Sequence, residues 1–522
     1  MPENTKQIEP LRIEPLQLPT IETTKAFVLD IPLQVDVYPP LQALCVAHFR
    51  PTQNWKKDEP EHNFGFDWLR MGDGNQWSDT NPVKDHYANL IGRYYDTAGN
   101  VSTDANNWTN DFRHQMDLYK SLLINSFPRA FFIPWKTLQP GICPNSYPNE
   151  VKRAIDTSQY YYTVPILFLK SLGSASLSLR LELYPKLSAP KRIVIREHRA
   201  GNGAFTVNPA AISPVKDGKH NLTITSLKQI DDFELIDAVA VYDDPANPGA
   251  EVEKLCGQLR VHPNNLIRTV NILFVKTRIY KGGARVADGV NIADKEKKFI
   301  KKVFEGQLFT NVNSEDYGTL EVRGNYTYTP IGGGAPVTEN VDSYINSDKK
   351  AVKGMHNILT AAFQQDLAAV AATAPAGSRE ADVNRYRNYA VVYIVDLDTN
   401  GINHNTTSRY TVVYQKRQVE TVTHEILHYL GLSHTSYANA SEPAYRAQAT
   451  ENIMDYSHVL SDRQTASGKA RYSLWYWQIK KVWQGLNQLS GQFYTTGIPS
   501  EDSNKISAGG EGYYQFMSKP RI

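Results

Sequence analysis

The sequence predicts a multidomain α+β protein with three parts: an irregular, aromatic-rich region over 36–160, a β-rich sandwich or barrel over 161–265, and an α/β sandwich over 266–490. Three observations predict it. The chain has 522 residues, too many for one hydrophobic core. Apolar alternation of period two is concentrated between 160 and 265. Beyond 265, strand-like runs alternate with helix-like ones.

Each part follows from its residues in chain order. Over 1–35, Pro10, Pro15, Pro19 and Pro32 block any long helix, so an extended arm is expected. Over 36–160, stretches such as FGFDWLRMGD (64–73) and NWTNDFRHQMDLY (107–119) mix aromatic and turn-forming residues, which suits strand-poor packing around aromatic anchors. In ASLSLRLELY (175–184), Leu177, Leu179, Leu181 and Leu183 share one face, the mark of a half-buried antiparallel strand. YYYTVPILFLK, KRIVIRE, NLTITSL and AVAVYDD are β-rich in the same region. RTVNILFVKTRIY (268–280) reads as a buried strand, and DKEKKFIKKVFEGQLF (294–309) as a helix with Phe299, Val303 and Phe304 on one face. TLEVRGNYTY (319–328) is strand-like, and an alanine-rich stretch (350–372) predicts a long helix. Strands at 388–398 and 408–415 precede a helix over 417–432 and a last helix over 473–487, and residues 491–522 form a tail.

Composition excludes several classes. Apolar content of 41% rules out wholesale disorder, and a net charge of +2 gives no reason to expect nucleic acid as a partner. No apolar run approaches the roughly 18 residues of a membrane-spanning helix. Cys45, Cys143 and Cys256 form no paired framework or metal spacing and are expected as buried thiols. The N-terminus lacks a basic segment followed by an apolar one, so no Sec signal peptide is expected. That leaves a cytoplasmic protein, one exported by another route, or a mature form.

The chemistry concentrates in THEILHYLGLSH, Thr423 to His434. On a helix His424 and His428 lie one turn apart on the same side, with Val419, Val422, Ile426 and Leu430 opposite. Gly431 ends the helix, since glycine enters positive φ without cost, and the turn brings His434 back to the same point. Three neutral imidazoles plus one open position favour zinc over magnesium or calcium. Glu425 stands beside the ligand axis, placed to take a proton from water and not to bind metal. With the glycine and third histidine fixed, the chance expectation falls to about two in a hundred thousand.

This HExxHxxGxxH pattern resembles that of the metzincin zinc endopeptidases. About twenty residues on, NIMDY carries Met454, which looks like the family's Met-turn, and Tyr456 matches the Met-x-Tyr form of the astacin and serralysin branches. The resemblance spans roughly 265–490. It implies a metzincin-like catalytic domain with one Zn2+ per chain, held by His424, His428 and His434. It also implies Met454 as the floor of the site, and Tyr456 as a fifth ligand at rest that swings out to hold the oxyanion. The sequence departs from the serralysin pattern in lacking the glycine-rich calcium repeats, and 1–265 is not covered.

The expected function is zinc-dependent hydrolysis of protein or peptide substrates by metal-activated water, with Glu425 as general base. One alternative is a structural or delivery protein whose zinc serves stability alone. The other is a protease toxin effector carried by a bacterial injection apparatus. FGFDWLR is similar to segments of bacterial secretion-apparatus proteins, implying a secretion-apparatus or carrier partner through the N-terminal half. Lesser candidates are His458 as a loop residue near the cleft and Cys143 as a latency thiolate. GGGAPV (332–337) reads as a flexible loop, and the lysines of 295–302 as a solvated helix face.

Overall fold

The period-two leucines build what they predict. Ser174–Leu183 is a central strand, paired antiparallel with Cys45–Pro51 on one side and Gly218–Ser226 on the other, and Phe205–Asn208 extends the sheet to four strands. A six-stranded sheet faces it, in the order Ala211–Ile212, Arg192–Glu197, Glu234–Asp243, Glu251–Val261, Ile166–Phe168 and Gly65–Asp67. Leu177, Leu179, Leu181 and Phe49 from the first sheet meet Ile193, Ile195, Ile236 and Leu259 from the second in one apolar core. The region is therefore a sandwich and not a barrel. The sheets approach closely at Gly257, where a Cβ would stand 2.2 Å from the Ala47 carbonyl oxygen. The computed structural model describes residues 39–490 except 57–61, 71–85, 103–110, 137–146, 159, 185–188, 330–333, 399–408, 416, 437–443, 448 and 456–470. The expected arm and tail lie outside the described residues.

In the second half, four strands run parallel in the order Thr310–Val322, Arg268–Lys281, Tyr389–Val395 and Tyr410–Val413, and the short Ala284–Ala287 folds back antiparallel on the end of the second. Alternate side chains of Arg268–Lys281 go to opposite faces, as the pleat requires. Val270, Ile272 and Phe274 join a core containing the helix Thr421–Tyr429 and the last helix, Tyr476–Ser490. Leu273 and Val275 join another containing the long helix His356–Thr373. A sheet covered on both faces is the α/β sandwich expected. The long helix begins at His356 and not at 350, because Ala351 and Val352 donate their N–H groups to Asp398 and Tyr344 in extended chain. Helix Asp294–Lys301 winds on through a π-helical segment, Lys302–Gln307. Lys302 departs from the solvated lysine face: it is buried and donates to the Trp55 carbonyl at 2.7 Å.

The packing corrects the expectation of a separate region over 36–160. Cys45–Pro51 and Gly65–Asp67 belong to the sandwich sheets. All seven residues of Cys45–Pro51 are buried, the polar His48 and Arg50 included, and the alternation through Ala47, His48, Phe49 and Arg50 is too short to mark the segment. The helices Tyr87–Leu90, Met116–Ser126 and Asn149–Ser158 pack with Tyr445 and Trp475 of the second half in a shared core. The described residues, all within 39–490, accordingly belong to one compact unit. The FGFDWLR segment is buried throughout, with Phe66 at 0% and Trp68 at 1% exposure, so it is core and presents no surface to a carrier. Cys45 and Cys256 are buried thiols as expected, and Cys143 lies outside the described residues. The fold is mixed α+β, mostly strands, with seven α-helices among the described residues. None of the described helices is long and apolar enough to cross a membrane.

Candidate metal centre

The helix Thr421–Tyr429 presents Val422, Ile426 and Leu427 to the sheet and turns His424 and His428 away from it. It is shorter than expected: residues 418–420 form a turn, and Val419 lies before the first helical residue, only half-buried. At its C-terminal end Gly431 has φ of 96°. The Leu432 N–H reaches the Leu427 carbonyl at 3.0 Å and the Gly431 N–H the His428 carbonyl at 2.9 Å, the paired bonds of a Schellman turn. That reversal delivers His434. The Nε2 of His428 is 3.0 Å from the Nε2 of His424 and 2.9 Å from that of His434.

Second contacts fix which nitrogens face inward. The Nδ1 of His424 lies 2.8 Å from the Ile453 carbonyl, and the Nδ1 of His428 lies 2.7 Å from the Leu432 carbonyl. A carbonyl only accepts, so both Nδ1 atoms carry the proton and both Nε2 atoms present lone pairs. Lone pairs facing one another at 3 Å repel unless a cation lies between them. Burial, reinforced by the neighbouring His428, also pushes the His424 and His434 imidazoles well below their ordinary pKa, keeping them neutral. The donor set is therefore three imidazoles whose Nε2 atoms converge, two of them with lone pairs fixed inward, which fits zinc. The cluster holds three candidate ligands among the described residues.

Glu425 is buried beside His424, and burial pushes its carboxyl up to about 8, with Arg471 pulling the other way. A dication in the site would draw it back down. Below the histidines, residues 452–455 form a turn closed by the Asp455 N–H on the Asn452 carbonyl. Met454 is wholly buried in that turn, among Ile426, Leu430 and Trp483. Its N–H donates to Asn452 Oδ1 at 2.9 Å, and its carbonyl accepts from Thr435 N–H at 3.1 Å. The turn is thereby tied to His424 through Ile453 and to the segment just after His434 through Thr435. Tyr456 and His458 lie outside the described residues.

Several residues that hold this centre carry no motif. Arg471 is buried against His424 and the 453–455 turn, and Gln478 bonds Asn452 from the last helix at 2.6 Å. Arg70 pairs with both Asp67 and Glu451, and Asp67 Oδ2 accepts from the Tyr476 N–H at 2.9 Å. The last helix also presses on the helix of His424: a Cβ on Gly485 would stand 2.4 Å from the Leu430 carbonyl oxygen. Gly485→Ala should therefore push the two helices apart and cost about 1–3 kcal/mol, as over-packing does. Denaturant unfolding measures it, and an unchanged midpoint would show that the contact yields freely.

No family model matches the chain, and no curated protein matches it. A solved structure titled "Chaperone-tip adhesin complex is vital for synergistic activation of CFA/I fimbriae biogenesis" is similar at 15% identity over 20% of this chain and 56% of that one, with a TM-score of 0.14. A likeness at that score carries no argument about fold or function.

Proposed function

We propose that this chain is a zinc-dependent endopeptidase of the metzincin kind, with His424, His428 and His434 holding one zinc ion. The convergence of three imidazole Nε2 atoms, two of them with Nδ1 committed to a carbonyl, carries the reading. When bound, zinc supplies Lewis acidity, lowering the pKa of water and polarising a carbonyl.

The chain's own residues do the rest. Glu425 takes the proton from the attacking water and delivers it to the amide nitrogen as the C–N bond breaks. Its burial suits a base that must both accept and release a proton near neutral pH. The role the resemblance gives Tyr456 is to donate to the oxyanion of the tetrahedral intermediate. Met454 and the 452–455 turn keep the floor of the site rigid. A zinc site kept for stability alone has no use for a buried carboxyl next to a ligand, which favours the enzyme. Substrates are proteins or peptides.

Cleavage of a peptide library, run with and without a chelator, tests the reading. Zinc-stoichiometric protein should cut internal peptide bonds, lose the activity under chelation and regain it when zinc is restored. Protein that retains one zinc but cleaves nothing would move the conclusion to a structural site.

A further inference from the structure

We propose that Arg471 is the positioning residue that locks His424 and the turn bearing Met454 into one frame, and so sets how tightly the three imidazoles hold a metal. The inference rests on the zinc reading above and assigns a task to a residue outside the motif.

The geometry is specific. Arg471 is 4% exposed, in a stretch with no ligand or base of its own. Its Nε donates to Glu420 Oε1 at 3.2 Å, and Glu420 is the residue on which the helix of His424 starts. Its Nη1 donates to the Asp455 carbonyl at 3.2 Å and reaches the Ile453 carbonyl at 3.5 Å. The Ile453 carbonyl is the same one that accepts from His424 Nδ1. One guanidinium thus spans the start of the ligand helix and two carbonyls of the turn beneath it. Through the shared carbonyl it also fixes the ring angle of the first ligand.

The guanidinium also reaches the ring itself, with Nη1 3.5 Å from His424 Nδ1. A planar fork with five donors suits this task, whereas an ammonium offers one point charge and no fork. Losing a partner that orients a ligand typically weakens metal binding by about 10–100-fold.

The test uses the full chain. Zinc dissociation constants are measured by competition with a chromophoric chelator for wild type, Arg471→Lys, Arg471→Met and Glu420→Gln. The visible spectrum of each cobalt-substituted protein reports ligand geometry, and circular dichroism reports folding. The expected result is affinity weakened about 10–100-fold in Arg471→Met, less in Arg471→Lys and Glu420→Gln, with altered cobalt bands in Arg471→Met. If Arg471→Met fails to fold, Arg471→Lys, which keeps the charge, carries the comparison. Zinc affinity within about twofold of wild type and unchanged cobalt bands in the folded variants would overturn the inference, whatever the melting temperature does. Wild-type protein that takes up neither metal would instead overturn the zinc reading, and this inference with it.

Discussion

Replacing His428 by alanine is expected to leave the purified protein without zinc. Of the three histidines, His428 is the one whose Nε2 stands within 3.0 Å of both others, so its removal takes away the ligand they share as a neighbour. Its ring also donates to the Leu432 carbonyl, tying the metal site to the turn that returns His434. Zinc bound by protein ligands is held by about 10–16 kcal/mol in structural sites, and two imidazoles retain too little of that to survive dialysis. Elemental analysis after dialysis should read about one zinc per wild-type chain and essentially none in His428→Ala. One zinc per chain in the variant would remove the three-histidine site from consideration. His424→Ala should behave alike, with the added loss of the bond to Ile453.

The second large effect separates binding from catalysis. Glu425→Gln keeps the shape of a buried side chain and removes only its capacity to take a proton. Burial already disfavours the ionised carboxyl, so a neutral amide costs the metal-free fold little. Zinc content and thermal stability should stay near wild type. Peptide hydrolysis should fall about 10²–10⁴-fold, the usual contribution of a general base, and further if the same carboxyl also protonates the leaving amine. Steady-state kinetics on one cleavable peptide, beside zinc analysis, settles the matter. Wild-type turnover in this variant would leave the metal with a structural task only.

The ligand spacing was legible because it is local: a helical turn separates His424 from His428, and Gly431 announces the reversal that returns His434. The leucines of Ser174–Leu183 were legible for a similar reason, since one face of that strand meets the core and the other does not. Cys45–Pro51 was not, because its alternation runs only from Ala47 to Arg50 and its polar members His48 and Arg50 are buried like the rest. Arg471 was beyond reach for another reason. Two of its partners are backbone carbonyls, which carry no side-chain signature, and its acidic partner Glu420 is 51 residues away. The contacts that cross residue 265 were not legible either, because pairs such as Asp67 with Tyr476 span 409 residues.

Those crossing contacts set a schedule for making the protein. Asp67 and Arg70 leave the ribosome long before Glu451 and the helix beginning at Tyr476, their buried partners. At about 5–20 residues per second, the wait is about 20–80 s. Until then Arg70 has Asp67 but not Glu451, the last helix is absent, and the turn under His424 has nothing to rest on. The front of the chain is a half-built socket, and the three histidines gain their support only after residues 451–490 are made. A chain cut short before Glu451 therefore lacks both the buried partner of Arg70 and the turn beneath His424, and with them the support of the three-histidine cluster.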